Sequence, residues 1–231
     1  IGKSKIRQRG VQETNIIDLI KPVTKYSVMV KDKNDIKYHL DKAFYESTNG
    51  RPGPVWIDVP ANIQNSWIEV SELNQFKPRK IPSKGNSYKK EEIIIDKISK
   101  KLLNSKKPIL FIGRGAAISK SEKICLKLIK EFDIPYALSW NASDFIPNNL
   151  KSYVGKPGSF TERAANFAIQ SCDLFISVGS RLNYTVTGYN AKDFGRKAFK
   201  IMVDIDENEL NDSKKRINTD LTLKISAIKF F

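Results

Sequence analysis

From residue 90 onward the chain alternates short apolar runs with segments of helical period, and this alternation constrains the fold more than any other feature. The runs PILFIG, YALSW, DLFISVG and FKIMVDID are largely apolar, and DLTLKIS follows them as a fifth short strand. Strands of that kind need cover on both faces, which a parallel sheet with crossover helices supplies. Between them the spacing predicts three helices: one over residues 90–103 presenting Ile95, Ile98 and Leu102, one from about Ser121 carrying Ile124, Leu128, Ile129 and Phe132, and one over residues 161–171 with Ala165, Ala168 and Ile169 inward. The stretch through Pro147 and Gly158 reads as an irregular loop, and the chain closes on the amphipathic IKFF.

Five strands with intervening helices place this region in the α/β class, as a Rossmann-like parallel sheet with helices on both faces and a ligand-facing edge at the strands' carboxyl ends. Upstream, VTKYSVMV reads as a strand and PVWIDVP as another, bounded by Pro54 and Pro60. Between them a helix capped by Asn34 places Ile36, Leu40, Ala43 and Phe44 on one face and ends at Asn49-Gly50. Residues 61–89 are polar, basic and interrupted by Pro78 and Pro82. They show no sustained period and read as a linker whose Trp67, Ile68 and Val70 lie against a domain surface. The expected organisation is a partial α/β domain over 1–60, a linker over 61–89 and the Rossmann-like domain over 90–231.

At 231 residues and 40% apolar content the chain can bury a core. No run approaches the roughly 20 apolar residues of a membrane helix. The start, IGKSKIRQRG, has neither an initiator methionine nor a signal-like apolar run. The expectation is a truncated, cytoplasmic piece that engages no membrane. Cys125 and Cys172 stand without close Cys or His partners, which suggests neither disulfides nor a zinc site and fits a reducing compartment. Forty Lys and Arg against 25 Asp and Glu give a net charge of +15. With no aromatic-interleaved basic stripe or helix-turn-helix pattern beside it, that charge reads as a solvated lysine-rich surface, not a nucleic-acid interface.

Three strand ends share a chemistry: Gly113-Arg114-Gly115 after PILFI, Gly179-Ser180-Arg181 after DLFISV, and Asp204 to Asp206 in IMVDID. Glycine lets backbone N–H groups approach a phosphate, arginine adds a forked charged donor, and a carboxylate can accept from ribose hydroxyls. That combination suits a dinucleotide. Ile118 stands where a G-x-G-x-x-G motif has its third glycine, so a second reading stays open in which these glycines only make tight turns. His39, the single histidine, sits mid-helix and suggests no catalytic triad. The acidic pairs Glu91-Glu92 and Glu207 with Glu209 fall at helix starts, where they complement the dipole.

The segment from RQRGVQETN through PVTK to GRPGPVWIDVPANIQ resembles the end of the pyrimidine-binding domain of acetolactate synthase-like enzymes. GSFTERAANFAIQSCDLFISVGSRLNYTVTGYN, followed by KIMVDIDENEL, is similar to their central domain. The resemblance implies a longer enzyme dependent on thiamine diphosphate and magnesium, a transferase acting on a 2-keto acid as a homodimer or homotetramer. Its cofactor carries the difficult chemistry. The activating glutamate and the magnesium motif of such enzymes fall outside this sequence, so the resemblance implies no catalytic residue and no metal ligand here, and no turnover by this piece alone. Gln12 would line the substrate channel. In members that keep a structural flavin, FAD would contact Arg51, Gly113, Arg114, Gly115, Ser139, Trp140, Gly179, Ser180, Arg181, Asn183, Asp204 and Ile205.

The sequence departs from the family where Arg114 replaces the middle glycine of a Gly-Gly-Gly, Asn183 an aspartate, Ala61 a lysine and Ser226 an aspartate. A vestigial nucleotide fold that only props catalytic domains apart therefore stays open beside the flavin site. So does a stand-alone nucleotide-binding or scaffold module with no enzyme attached.

Overall fold

The computed structural model describes residues 14–78 and 87–231. Compact contacts divide the chain into two units, residues 1–83 and 84–231.

In the first unit α1 (Ile16–Ile20) leads into β1 (Tyr26–Met29), α2 (Ile36–Thr48), β2 (Val55–Asp58) and α3 (Ala61–Gln64). β1 and β2 pair in parallel with Tyr26 opposite Val55. α2 buries Ala43, whereas Leu40 and Phe44 are exposed, so the expected four-residue face is only partly used. The capping side chain is Asp32, which accepts from the Asn34 amide at 2.9 Å, and not Asn34 itself. An aspartate at the start of the preceding 3-10 turn takes the role because its carboxylate reaches the amide two residues on. The helix does end at Asn49, and Gly50 follows at φ +63.

The chain beyond β2 is fastened to α2. The Asn74 amide donates to the Asn34 carbonyl at 2.9 Å and its side chain to Asp35 at 2.7 Å. The Phe76 ring stands 5.7 Å from that of Tyr38 and 5.5 Å from that of Tyr45. Trp67 is 92% exposed and Val70 is also exposed, so these residues do not lie against a domain surface as expected. Phe76 supplies the apolar anchor instead.

The second unit runs α4 (Ser87–Asn104), β3 (Pro108–Ile112), α5 (Arg114–Ile118), α6 (Glu122–Phe132), β4 (Tyr136–Leu138), β5 (Tyr153–Gly155), α7 (Arg163–Ser171), β6 (Leu174–Val178), α8 (Tyr184–Thr187), β7 (Phe199–Asp204), α9 (Glu207–Arg216), β8 (Leu221–Lys224) and α10 (Ala227–Phe230). The sheet is all-parallel with order β5-β4-β3-β6-β7-β8. The α/β class and the helices on both faces follow the sequence reading. The strand count does not, because β5 lies in the stretch read as a loop. It has three residues and pairs only with β4, across a register shift.

Side chains alternate along the strands, as the period of two requires. Leu110, Ile112, Ile176, Val178, Ile201 and Val203 enter a core beneath α4, α5, α6 and α10. Ile109, Phe111 and Phe175 enter the opposite core with Ile169 and Cys172 at α7 and Leu182, Phe194 and Ile217 beyond. α6 turns Cys125 and Ile129 inward, while Ile124 and Phe132 are exposed. Among the described residues no helix is long and apolar enough to cross a membrane.

Candidate functional site

β3 runs to β4 and β5 on one side of the sheet, and the chain then crosses back to β6, β7 and β8 on the other. The direction of winding reverses between β3 and β6, and in open parallel sheets a ligand crevice opens outside the strand ends at that point. The strands β4, β3, β6 and β7 are consecutive neighbours. Ser139-Trp140, Gly113-Arg114-Gly115, Gly179-Ser180-Arg181 and Asp204-Ile205 therefore share one edge. Asn183 follows on the connection leaving β6. Arg51 belongs to the other unit, on the turn between α2 and β2, where its carbonyl accepts from Lys25 at 2.9 Å. Gln12 lies outside the described residues.

The glycines close the edge upon itself. Gly113 donates to the Val178 carbonyl, Gly115 to the Gly179 carbonyl and Gly179 to the Val203 carbonyl, each at 2.9 Å, and Ala116 donates to Gly113 at 3.1 Å. A Cβ on Gly113 would meet the Gly179 oxygen at 2.2 Å, and one on Gly115 would meet the Gly179 Cα at 2.8 Å. Gly179 itself sits at φ +63, the left-handed region. The tight-turn reading thus accounts for these glycines, and their amides are already engaged.

Charged donors come from side chains. The Arg114 guanidinium bonds the Asp144 carboxylate at 2.8 Å and the Asn141 carbonyl at 3.3 Å. The hydrogen bond from Arg114 holds the Asp144 carboxyl below its ordinary range. The Arg181 side chain is 63% exposed and only 3.7 Å from the Glu209 carboxylate, longer than a hydrogen bond. Arg216, which the sequence reading missed, donates to the carbonyls of Leu182 at 2.7 Å and Arg181 at 3.0 Å and to Asp212 at 2.8 Å. It pins a loop whose Leu182 has φ +50. No local pattern could have announced it, since the partners stand 34 and 35 residues away.

At the far side of the edge the Asp204 carboxylate accepts from the Asp206 amide at 2.9 Å, and Asp206 caps α9 by accepting from Asn208 at 3.0 Å. Trp140 and Ile205 present exposed apolar surface. The donor set therefore fits a dinucleotide in a particular way: arginine side chains for phosphate, carboxylates for hydroxyls, and Trp140 and Ile205 for flat rings. It does not offer the glycine amides expected to cradle phosphate. Among the described residues no group of three or more His, Cys, Asp or Glu could hold a metal ion. His39 Nδ1 lies 2.7 Å from the Tyr26 hydroxyl, linking α2 to β1.

Strand order and switch point define a doubly wound α/β domain. Residues 95–228, more than half of the chain, match the family described as thiamine pyrophosphate enzyme, central domain. The chain belongs to the thiamine pyrophosphate enzymes. It is 32% identical over 219 residues to the acetolactate synthase large subunit of Cyanidium caldarium, covering 93% of this chain and 37% of that protein. It is 31% identical over 207 residues to the acetolactate synthase large subunit of Haemophilus influenzae, covering 87% and 35%. With the probable acetolactate synthase large subunit of Methanocaldococcus jannaschii it shares 29% over 214 residues, covering 92% and 35%. The chain thus spans little more than a third of the length of these relatives.

Proposed function

We propose that this chain is the middle of a thiamine-diphosphate-dependent enzyme that joins or decarboxylates 2-keto acids as a homo-oligomer. Residues 1–60 would form the end of a pyrimidine-binding domain, residues 61–89 a linker, and residues 90–231 a central domain that holds FAD in a structural role. Thiamine diphosphate with magnesium supplies the carbon–carbon chemistry when bound. The residues of this chain bind and orient. Arg181 takes the diphosphate, Asp204 accepts from ribose hydroxyls, Trp140 and Ile205 flank a ring, and Arg216 keeps the Arg181 loop in place. The observation that carries the reading is the convergence of four neighbouring strand ends on the switch-point edge.

Flavin titration of the chain, followed by fluorescence and by thermal midpoint, tests it with Arg181→Ala as the comparison. A charged hydrogen-bonding group contributes about 1.5–3 kcal/mol, so the variant should bind roughly tenfold or more weakly. Saturable binding with a raised midpoint, weakened in the variant, is the expected result. Unaltered fluorescence and midpoint at millimolar FAD would leave the edge a flavin-free scaffold. The gene-length protein, given thiamine diphosphate and magnesium, should release carbon dioxide from a 2-keto acid such as pyruvate.

A further inference from the structure

On the connection leaving β6, the rings of Tyr184 and Tyr189 lie stacked, with centroids 6.1 Å apart and planes at 24°. Tyr184 is 55% exposed and Tyr189 is 96% exposed. A single exposed aromatic is ordinary, but a pair held parallel in the open presents a flat apolar surface on the Tyr189 side. The chain beside the pair is uncrowded, since a Cβ on Gly188 would find no heavy atom beyond its chain neighbours within 4 Å.

The pair is also tied to the candidate site. The Arg216 guanidinium that donates to the Arg181 and Leu182 carbonyls stands 5.7 Å from the Tyr184 ring centroid, within cation–π range. Two residues, Leu182 and Asn183, separate Arg181 from Tyr184, no more than about 11 Å of chain. The connection is braced as well, since the Thr185 hydroxyl donates to the Asn183 side-chain oxygen at 2.7 Å and Ser159 donates to the Thr185 carbonyl at 2.9 Å. A braced shelf spends little ordering entropy when a ligand arrives.

We propose that Tyr184 and Tyr189 form a stacking shelf for a planar heteroaromatic ring of a phosphate-bearing ligand whose charge Arg181 receives. The inference rests on the nucleotide reading of the strand-end edge and adds to it the surface that grips a ring. Both halves of a flavin dinucleotide carry such a ring, so the shelf accepts either chemistry and the experiment separates them.

The chain is titrated separately with FAD, FMN and ADP by thermal midpoint and equilibrium dialysis, as wild type, Tyr189→Ala, Tyr189→Phe and Tyr184→Ala. Tyr189 makes no buried contact, so its variants should fold normally, which circular dichroism checks. Loss of a base–aromatic stack weakens binding by about fivefold or more. Tyr189→Ala should show that loss for FAD and for one of FMN or ADP, while Tyr189→Phe, which keeps the ring, stays close to wild type. FAD binding that is unchanged in Tyr189→Ala and Tyr184→Ala overturns the shelf and leaves the flavin reading standing. ADP binding sensitive to Tyr189 without any FAD binding keeps the shelf and removes the flavin. Failure of all three ligands to bind wild type at millimolar concentration overturns both.

Discussion

Gly113→Ala separates two explanations of a strand-end glycine. Gly113 has φ −101 and ψ 174, extended values open to any residue, so alanine adds no backbone strain there. Its cost is steric. The new Cβ would lie 2.2 Å from the Gly179 oxygen, 2.5 Å from Ser180 Cβ and 2.6 Å from Ser180 Cα, where ordinary contact begins at 3.4 Å. The edge between β3 and β6 must open by about 1 Å, and the atoms in the way are mostly backbone. Overpacking of this kind costs about 1–3 kcal/mol. The displaced Gly179 also accepts from Gly115 and donates to Val203, and each strained hydrogen bond adds up to about 1 kcal/mol. A total of about 1–5 kcal/mol corresponds to a fall of roughly 2–20 °C in the melting of the second unit. Gly50→Ala supplies the contrast, since a Cβ there meets nothing within 4 Å but φ is +63. Its cost should be about 1–2 kcal/mol, confined to the first unit. Calorimetry with hydrogen exchange of peptides covering β3 and β6 reads both effects. Melting of Gly113→Ala within about 1 °C of wild type would refute sheet-edge closure as the reason for glycine.

Burial pushes the Cys125 thiol up to about 12 and, with Asp173 nearby, the Cys172 thiol up to about 11. Both stay protonated at pH 8.5, so a disulfide reagent should find no reactive thiol in the native chain and two in denaturant; immediate native reaction would contradict the burial. The Asp173 carboxylate accepts from the Ser105 hydroxyl and from the Lys106 and Lys107 amides at 2.8 and 3.0 Å, which ties β6 to the approach to β3. Burial alone would raise its carboxyl, yet these donors outweigh it and hold it below the ordinary value. The folded group binds its proton less readily than the unfolded one, so its stabilisation is present above about pH 4 and lost as pH falls through the lower folded value. Asp173→Asn should cost about 1 kcal/mol in urea unfolding at pH 7 and less at pH 3; a cost independent of pH would show that the charge contributes nothing.

Much of this architecture is legible in the sequence because buried parallel strands cannot hide: PILFI, LFISV and IMV must be covered on both faces, and their order of helix and strand leaves few topologies. What escaped has physical reasons. β5 spans three residues at the sheet edge with one neighbour, too short for a period to show. On α6, Ile124, Cys125, Leu126, Leu128, Ile129 and Phe132 leave most rotations of the helix plausible, and only contact with the sheet selects Cys125 and Ile129 over Ile124 and Phe132. Trp67 looked like an anchor by composition, while the anchoring ring, Phe76, is recognised only through Tyr38 and Tyr45 from α2.

The site was legible to the same depth and no further. Parallel order brings the strand ends together, so Gly113, Gly179 and Asp204 could be expected on one edge. Glycine at such an end has two uses, however, and sequence cannot separate them: it lets a phosphate approach, or it lets the neighbouring strand approach. The hydrogen bonds decide between them, because an amide that donates to a carbonyl across the edge is not also available to an anion. At Gly113, Gly115 and Gly179 the carbonyls of Val178, Gly179 and Val203 hold the amides. The phosphate recognition proposed above then calls for side chains that can still turn toward a ligand. Arg181, loosely set against Glu209 on a loop that Arg216 secures, meets that requirement, whereas Arg114 would first have to leave Asp144. A glycine variant at this edge therefore reports on the sheet, and of the two strand-end arginines Arg181 is the one whose variant reports on the ligand.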